Sequence, residues 1–179
     1  MTLSTNPRTG DLNPIENCEL IIPNAGTITL NNLPEISDSK SAVYNNEAIM
    51  GRSFPLYTYH YSNDRSINIQ FHFFVTKKED ATENLNDLRK IQSAVYPREG
   101  EEGGAPFKPP VICKFECRQL LADGPLCMVL QQYSVKFPTD VAWDEETYCP
   151  YRFDVDTNWL VVYTSDRLPN QDQIIKSGR

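Results

Sequence analysis

The clearest alternation of apolar and polar residues runs from Ile67 to Val75, where Ile67, Ile69, Phe71, Phe73 and Val75 are separated by Asn68, Gln70 and His72. A period of two belongs to a strand with one face buried, and only Phe74 interrupts it. The period then changes. Ala81, Leu85, Leu88, Ile91 and Val95 recur at spacings of three and four, which puts one apolar stripe along a helix. Thr76 and Glu79 have the spacing of a capping box, Asp80 and Glu83 offer a second start, and Pro97 ends the run. The predicted helix covers 76–96.

Alternation returns further on. Val111, Cys113, Phe115 and Cys117 line one face of a strand, and Cys127, Val129, Gln131, Tyr133, Val135 and Phe137 alternate along its partner. Asp123-Gly124 supplies the turn of this predicted hairpin. A last strand carries Tyr151, Phe153, Val155, Thr157, Trp159, Val161 and Tyr163 against Arg152, Asp154, Asp156 and Asn158. A short strand is expected at Ile28–Leu30, followed by a turn-like stretch to Ser41. The first 27 residues, with Pro7, Gly10, Pro14, Pro23 and Gly26, read as an irregular arm. The run 97–110 reads as a long exposed loop, because prolines and glycines break backbone ladders. Residues 166–179 read as a polar tail. Together these elements predict one mainly β domain over 28–165, an antiparallel sandwich or barrel with one flanking helix.

Composition fits that picture: 179 residues suffice for one core, and 40 % hydrophobic with 23 % charged residues are globular proportions. No apolar run approaches the roughly 18 residues of a membrane span, and the first residues predict neither a secretion signal nor an anchor. A net charge of -7 opposes the counterion displacement that drives nucleic-acid binding. An acidic surface does suit DNA sliding past without adhering. Cys18, Cys113, Cys117, Cys127 and Cys149 are an odd set without a CxxC pair. Those on strands read as small apolar groups, and a reducing compartment is expected.

Candidate chemistry is sparse. Nucleophilic catalysis needs a histidine beside the nucleophile, and only His60 and His72 are present. Ser53 lacks the second glycine of a nucleophile elbow. Cys113 and Cys117, four apart on a strand, would lie about 13 Å from each other, too far to share an ion. Asp144, Glu145 and Glu146 lack the spacing of a calcium loop, and Gly100, Gly103 and Gly104 match neither nucleotide fingerprint. Tyr57, Tyr59 and Tyr61 could stack bases, but only Arg52 and Arg65 lie near them, so packing on a sheet face is expected. No enzyme, cofactor or metal is expected.

One long stretch has a more specific character. "ISDSKSAVYNNEAIMGRSFPLYTYHYSNDRSINIQFHFF" contains a Ser-Asp-Ser-Lys-Ser-Ala segment, an Ile-x-Gly-Arg-Ser-x-Pro run, an aromatic stretch, Arg-x-Ile and the alternating strand. Leu88-Arg89, Tyr96-Pro97, Pro109-Pro110 and Tyr133-Ser134-Val135 follow in order. This ordered set, spanning about Ile36 to Tyr163, resembles the tube-like baseplate proteins of contractile phage tails and related injection systems. Many similar chains carry a C-terminal LysM module, and none is expected here.

The resemblance implies a β-sandwich or barrel of the tail-tube type, assembled as a hexameric ring that joins the central hub to the tail tube and nucleates tube assembly. Its partners would be copies of itself, the hub, the tail tube and other baseplate proteins, with DNA or tape measure passing through the lumen unbound. The location implied is the virion, after assembly in the host bacterial cytoplasm. Ser37, Asp38, Ser39, Lys40, Gly51, Arg52, Ser53, Pro55 and Arg65 are the expected assembly residues, and Glu99, Glu101 and Glu102 are expected to face the channel. Gly51-Arg52-Ser53 with Pro55 reads as a connector that sets Arg52 between subunits. A tube subunit, a tail terminator, or a small cytoplasmic module binding a peptide or glycan through the aromatic face remain open alternatives. A thiol enzyme is the remaining class.

Overall fold

The computed structural model describes residues 18–30, 32–100, 106–117, 120–121 and 125–163. Strands β1 (Cys18–Ile22) and β2 (Gly26–Thr29) open the chain, followed by β3 (Glu35–Ser39), β4 (Ala42–Glu47), β5 (Leu56–Ser62) and β6 (Ser66–Phe74). Helix α1 (Lys78–Ser93) precedes β7 (Arg98–Glu99), β8 (Phe107–Lys108), β9 (Cys113–Cys117), β10 (Leu126–Lys136) and β11 (Arg152–Val161). The architecture is mainly β and antiparallel with one helix, as the periodicity predicts.

Seven strands form one sheet in the order β2-β1-β9-β10-β11-β6-β3. Laid flat, such a sheet would hold its two edge strands about 29 Å apart. Those edges are β2 and β3, joined only by residues 30–34, which reach at most about 21 Å. The sheet therefore curls toward a barrel and stops short of closing. Thr27 and Thr29 of β2 accordingly face β6 residues Phe71 to Phe74 across a cleft.

The concave side holds the core. Ile67, Ile69, Phe71 and Phe73 of β6 are buried with Phe153, Val155, Thr157, Trp159 and Val161 of β11, which is the face that alternation assigns. Phe73 and Phe153 stack with centroids 4.9 Å apart. Trp159 is fully buried, so its indole N–H needs an acceptor. Thr157 Oγ1 accepts from Trp159 Nε1 at 2.7 Å and donates to the Ile69 carbonyl at 2.7 Å. This relay satisfies three polar groups inside the core.

Helix α1 lays Ala81, Leu88 and Ile91 into the same core, joined by Ala94 at its C-cap. Its N-terminus is capped by Asp80 rather than by Glu79: the Asp80 carboxylate accepts from the backbone N–H of Lys77 at 2.8 Å and of Thr76 at 3.0 Å. Bonding to the Thr76 hydroxyl and these two N–H groups holds the Asp80 carboxyl below its usual range. The cap is thus complete at neutral pH and fails as acid protonates it.

Several expectations are corrected. Residues 18–22, read as part of an irregular arm, form β1, with Cys18, Leu20 and Ile22 buried; the arm's first 17 residues lie outside those described. Residues 35–39, read as turn-like, form β3, because pairing with β6 supplies a ladder that Ser and Asp propensities do not favour. Within 97–110, β7 pairs with β8, and the Gly100 N–H donates to the Pro106 carbonyl at 3.0 Å. In β10 a register shift between Leu130 and Gln132 marks a bulge. Leu126, Met128 and Leu130 point inward before it, and the inward role passes afterwards to half-buried Tyr133 and Val135. One extra residue exchanges the faces, so Cys127 and Val129 do not share a face with Tyr133. The Asp123-Gly124 turn and the tail 166–179 lie outside the described residues.

Cys117, read as a free thiol, is disulfide-bonded to Cys18, its direct partner across β1 and β9, with Cα atoms 4.1 Å apart. Cys113, Cys127 and Cys149 are free, and burial pushes the Cys113 thiol up to about 11.

Two predictions follow from the core. In unreduced protein, denaturation should expose three alkylatable cysteines by mass spectrometry and reduction five, and reduction should cost about 2–5 kcal/mol in a urea melt. Thr157→Val should lose about 1–3 kcal/mol by leaving the Trp159 N–H without an acceptor. Thr157→Ser should recover most of that loss in the same melt.

Candidate functional site: the projecting aromatic ribbon

Strands β3 and β4 run alongside β6 and β5 as one long bent hairpin. At the bend, the Asn63 N–H donates to the Ser41 carbonyl at 2.8 Å and Asn63 Nδ2 to Ser41 Oγ at 2.7 Å. On one side of this clasp β3 and β6 belong to the sheet. On the other, β4 and β5 pair only with each other among the described residues.

Among the described residues, the ribbon has no core behind it. Every residue of β5 is exposed, and in β4 only Val43 is half-buried. Tyr44, Ile49, Met50, Phe54, Leu56, Tyr57, Tyr59 and Tyr61 all present large apolar surfaces, and Met50 at the tip is 101 % exposed. The expectation that Tyr57, Tyr59 and Tyr61 pack on the body is therefore corrected: alternation marks a face but does not say whether anything covers it. What order the rings have is local. Tyr44 meets Tyr59 edge-to-face at 5.8 Å, and Tyr59 Oη lies 3.0 Å from Ser62 Oγ. A bulge inserts His60 between Tyr59 and Tyr61, and its ring lies 5.0 Å from that of Tyr61.

The tip, residues 48–55, holds Gly51-Arg52-Ser53 and Pro55. A turn closed by the Arg52 N–H on the Ile49 carbonyl at 3.1 Å needs Gly51 at φ +87°, a conformation that a Cβ would strain. Arg52 and Ser53 are exposed. This tetrad is thus the end of a projection.

The remaining motif residues gather at the ribbon's base. Asp38 of β3 and Arg65, just before β6, form a bidentate pair, with Arg65 Nε 2.9 and 3.1 Å from the two carboxylate oxygens and Nη2 also bonded to Asp38. Arg65 Nη2 further donates to the Leu121 carbonyl at 3.1 Å. Hydrogen bonding to Asp38 raises the Arg65 pKa above its ordinary value, against the opposing effect of burial. Ser39 Oγ lies 2.8 Å from Ser66 Oγ, Ser37 is exposed on the same strand, and the Lys40 ammonium sits 5.8 Å from the centre of the Tyr163 ring. These contacts brace the hinge from which the ribbon leaves. The structure therefore divides the predicted site residues between a base (Ser37, Asp38, Ser39, Lys40, Arg65) and a tip (Gly51, Arg52, Ser53, Pro55). Glu99 is exposed on β7, and Glu101 and Glu102 lie outside the described residues.

Elsewhere the chemistry is structural. His72 Nδ1 lies 2.6 Å from Asp154 Oδ1 on the polar sheet face. Cys113 and Cys149 are buried, and burial raises both thiols, which opposes thiolate formation. Among the described residues no cluster of three or more His, Cys, Asp or Glu could hold a metal ion, and no helix is long and apolar enough to cross a membrane. No protein-family model matches the chain, and comparison with curated proteins gives no match.

The triple substitution Tyr57→Ser, Tyr59→Ser, Tyr61→Ser removes surface that the isolated chain does not bury. Chemical denaturation should therefore register less than about 0.5 kcal/mol per site. A drop of several kcal/mol would show that the rings pack on the body.

Proposed function

We propose that this protein is a structural subunit of a phage tail baseplate, forming a tube-like ring that connects the central hub to the tail tube and nucleates tube assembly. The observation that carries the reading is the β4–β5 ribbon, coreless and apolar on its exposed surface. A two-stranded ribbon is marginal alone in water, and so many large apolar side chains exposed on one projection mark a contact surface. Beyond their local ring contacts these side chains add nothing to the described core, so their apolar surface contributes only when a neighbour covers it.

Energetics favour many such contacts over one. Fully covering each large apolar side chain contributes about 1.5–3 kcal/mol, whereas fixing two bodies together costs about 4–15 kcal/mol. Covering eight side chains on one projection, at about 12–24 kcal/mol, offsets most of that range. A projection that fits a different surface on its neighbour makes a heterologous contact, which closes into a ring when the rotation allows. The open sheet edges β2 and β3 offer further pairing to such neighbours. An overall charge of -7 suits a channel through which DNA passes without adhering.

Electron microscopy of reconstituted baseplates tests the reading. Wild-type protein should form rings, and the tyrosine triple variant should remain unassembled while folded. Arg52→Ala should reduce ring yield at least severalfold, and unchanged yield would remove Arg52 from the contact. A density map of the intact tail in which this chain is absent, or sits alone with its ribbon uncovered, would overturn the whole assignment.

A further inference from the structure

The cleft left by the unclosed sheet has one wall with a specific property. β6 runs to Phe74, whereas its pairing with β3 ends at Gln70 opposite Glu35. Four residues of β6 thus extend past their edge neighbour. Which of their backbone groups face the cleft follows from register. The Val75 N–H donates to the Tyr151 carbonyl at 2.9 Å, on the β11 side, and N–H and C=O groups of alternate residues point to alternate edges. Odd-numbered positions therefore serve β11, and His72 and Phe74 serve the open edge. The side chain of Asn84 on α1 agrees with this, since its Nδ2 donates to the Phe74 carbonyl at 3.0 Å. Among the described residues, no backbone partner meets the N–H or C=O of His72.

The cleft, of about 810 Å³, is bounded by this edge, by α1 and by Thr27, Thr29 and Asn32. Asp87 is paired with Lys90 at 2.6 Å, and the Asp154 carboxylate is hydrogen-bonded to His72 at 2.6 Å. Glu83 and Arg89 stand exposed on the α1 wall, and what the β6 and β2 walls leave available is neutral hydrogen bonding. A bare strand edge also recognises main chain rather than a particular side chain.

We propose that this cleft is a peptide-binding site, in which an extended segment of another polypeptide adds to β6 antiparallel, beside His72, and takes the place in the sheet that β3 vacates. Residues of that segment opposite Phe71 and Phe73 share the core face, so they are apolar. Those opposite His72 share its polar face, so they are uncharged and polar. The ligand class is an alternating apolar and uncharged-polar strand of four or five residues, about 13–17 Å long. This inference concerns a different surface from the ribbon and does not rest on the ring assignment.

The test is titration of ¹⁵N-labelled full-length protein with the capped peptide Ac-Thr-Val-Thr-Val-Thr-NH2, followed by amide chemical shifts. Shifts should concentrate at His72, Thr27, Thr29 and Asn84, and the same peptide N-methylated at alternate residues should produce none. No shift, or equal shifts from the methylated peptide, would overturn the proposal. His72→Ala keeps the backbone N–H and should bind within about threefold of wild type, whereas His72→Pro removes it and should bind at least tenfold more weakly. Equal binding by both variants would overturn the edge mechanism. Asn84→Ala should tighten binding roughly fivefold by freeing the Phe74 carbonyl. If circular dichroism shows His72→Pro to be unfolded, the methylated peptide and Asn84→Ala decide the matter.

Discussion

The pairing of β6 with β11 is the constraint on which the other parts depend. The two strands stay in register along all of β6, from Ser66 opposite Leu160 to Phe74 opposite Arg152. Buried faces of both supply four of the five buried Phe and Trp side chains among the described residues, and the Thr157 relay ties Trp159 to the Ile69 carbonyl across them. At one end β6 is continuous with the ribbon through β5. At the other it overhangs into the cleft and leads to the capped start of α1. A slip of one residue would turn Ile67, Ile69, Phe71 and Phe73 to the polar side, displacing ribbon, cleft and core together.

The fold was readable wherever burial was one-sided and uninterrupted. β6, β9, β11 and α1 each announce themselves by period, because a single core stands behind each. Failures trace to particular residues. β1 was obscured by Pro23 and Gly26, of which the first stands in the turn after it and the second opens β2. β3 is a strand by virtue of its neighbour, and Ser37, Asp38 and Ser39 carry no strand preference of their own. The bulge in β10 adds one unpaired position, Gln131, and nothing in the composition of that stretch marks where parity changes.

The candidate site was legible as a set of residues but not as an arrangement. The chemistry of Asp38 and Arg65 suggests a salt bridge only once the bend has brought positions 27 apart together. Tyrosines at alternate positions look the same whether a core lies behind them or water does, so the projection of β4–β5 is invisible to periodicity. Similarly, five cysteines permit many pairings, and it is the β1–β9 register that sets Cys18 opposite Cys117.

That covalent link has a bearing on how the chain withstands cutting. Cys18 and Cys117 stand 99 positions apart, and the hinge, the ribbon, α1 and the β7–β8 loop all lie between them. A protease that clips the exposed tip at Arg52 would leave both fragments attached to one another through sulfur. Under denaturing conditions such a cut would stay hidden, and only a reductant would separate the pieces.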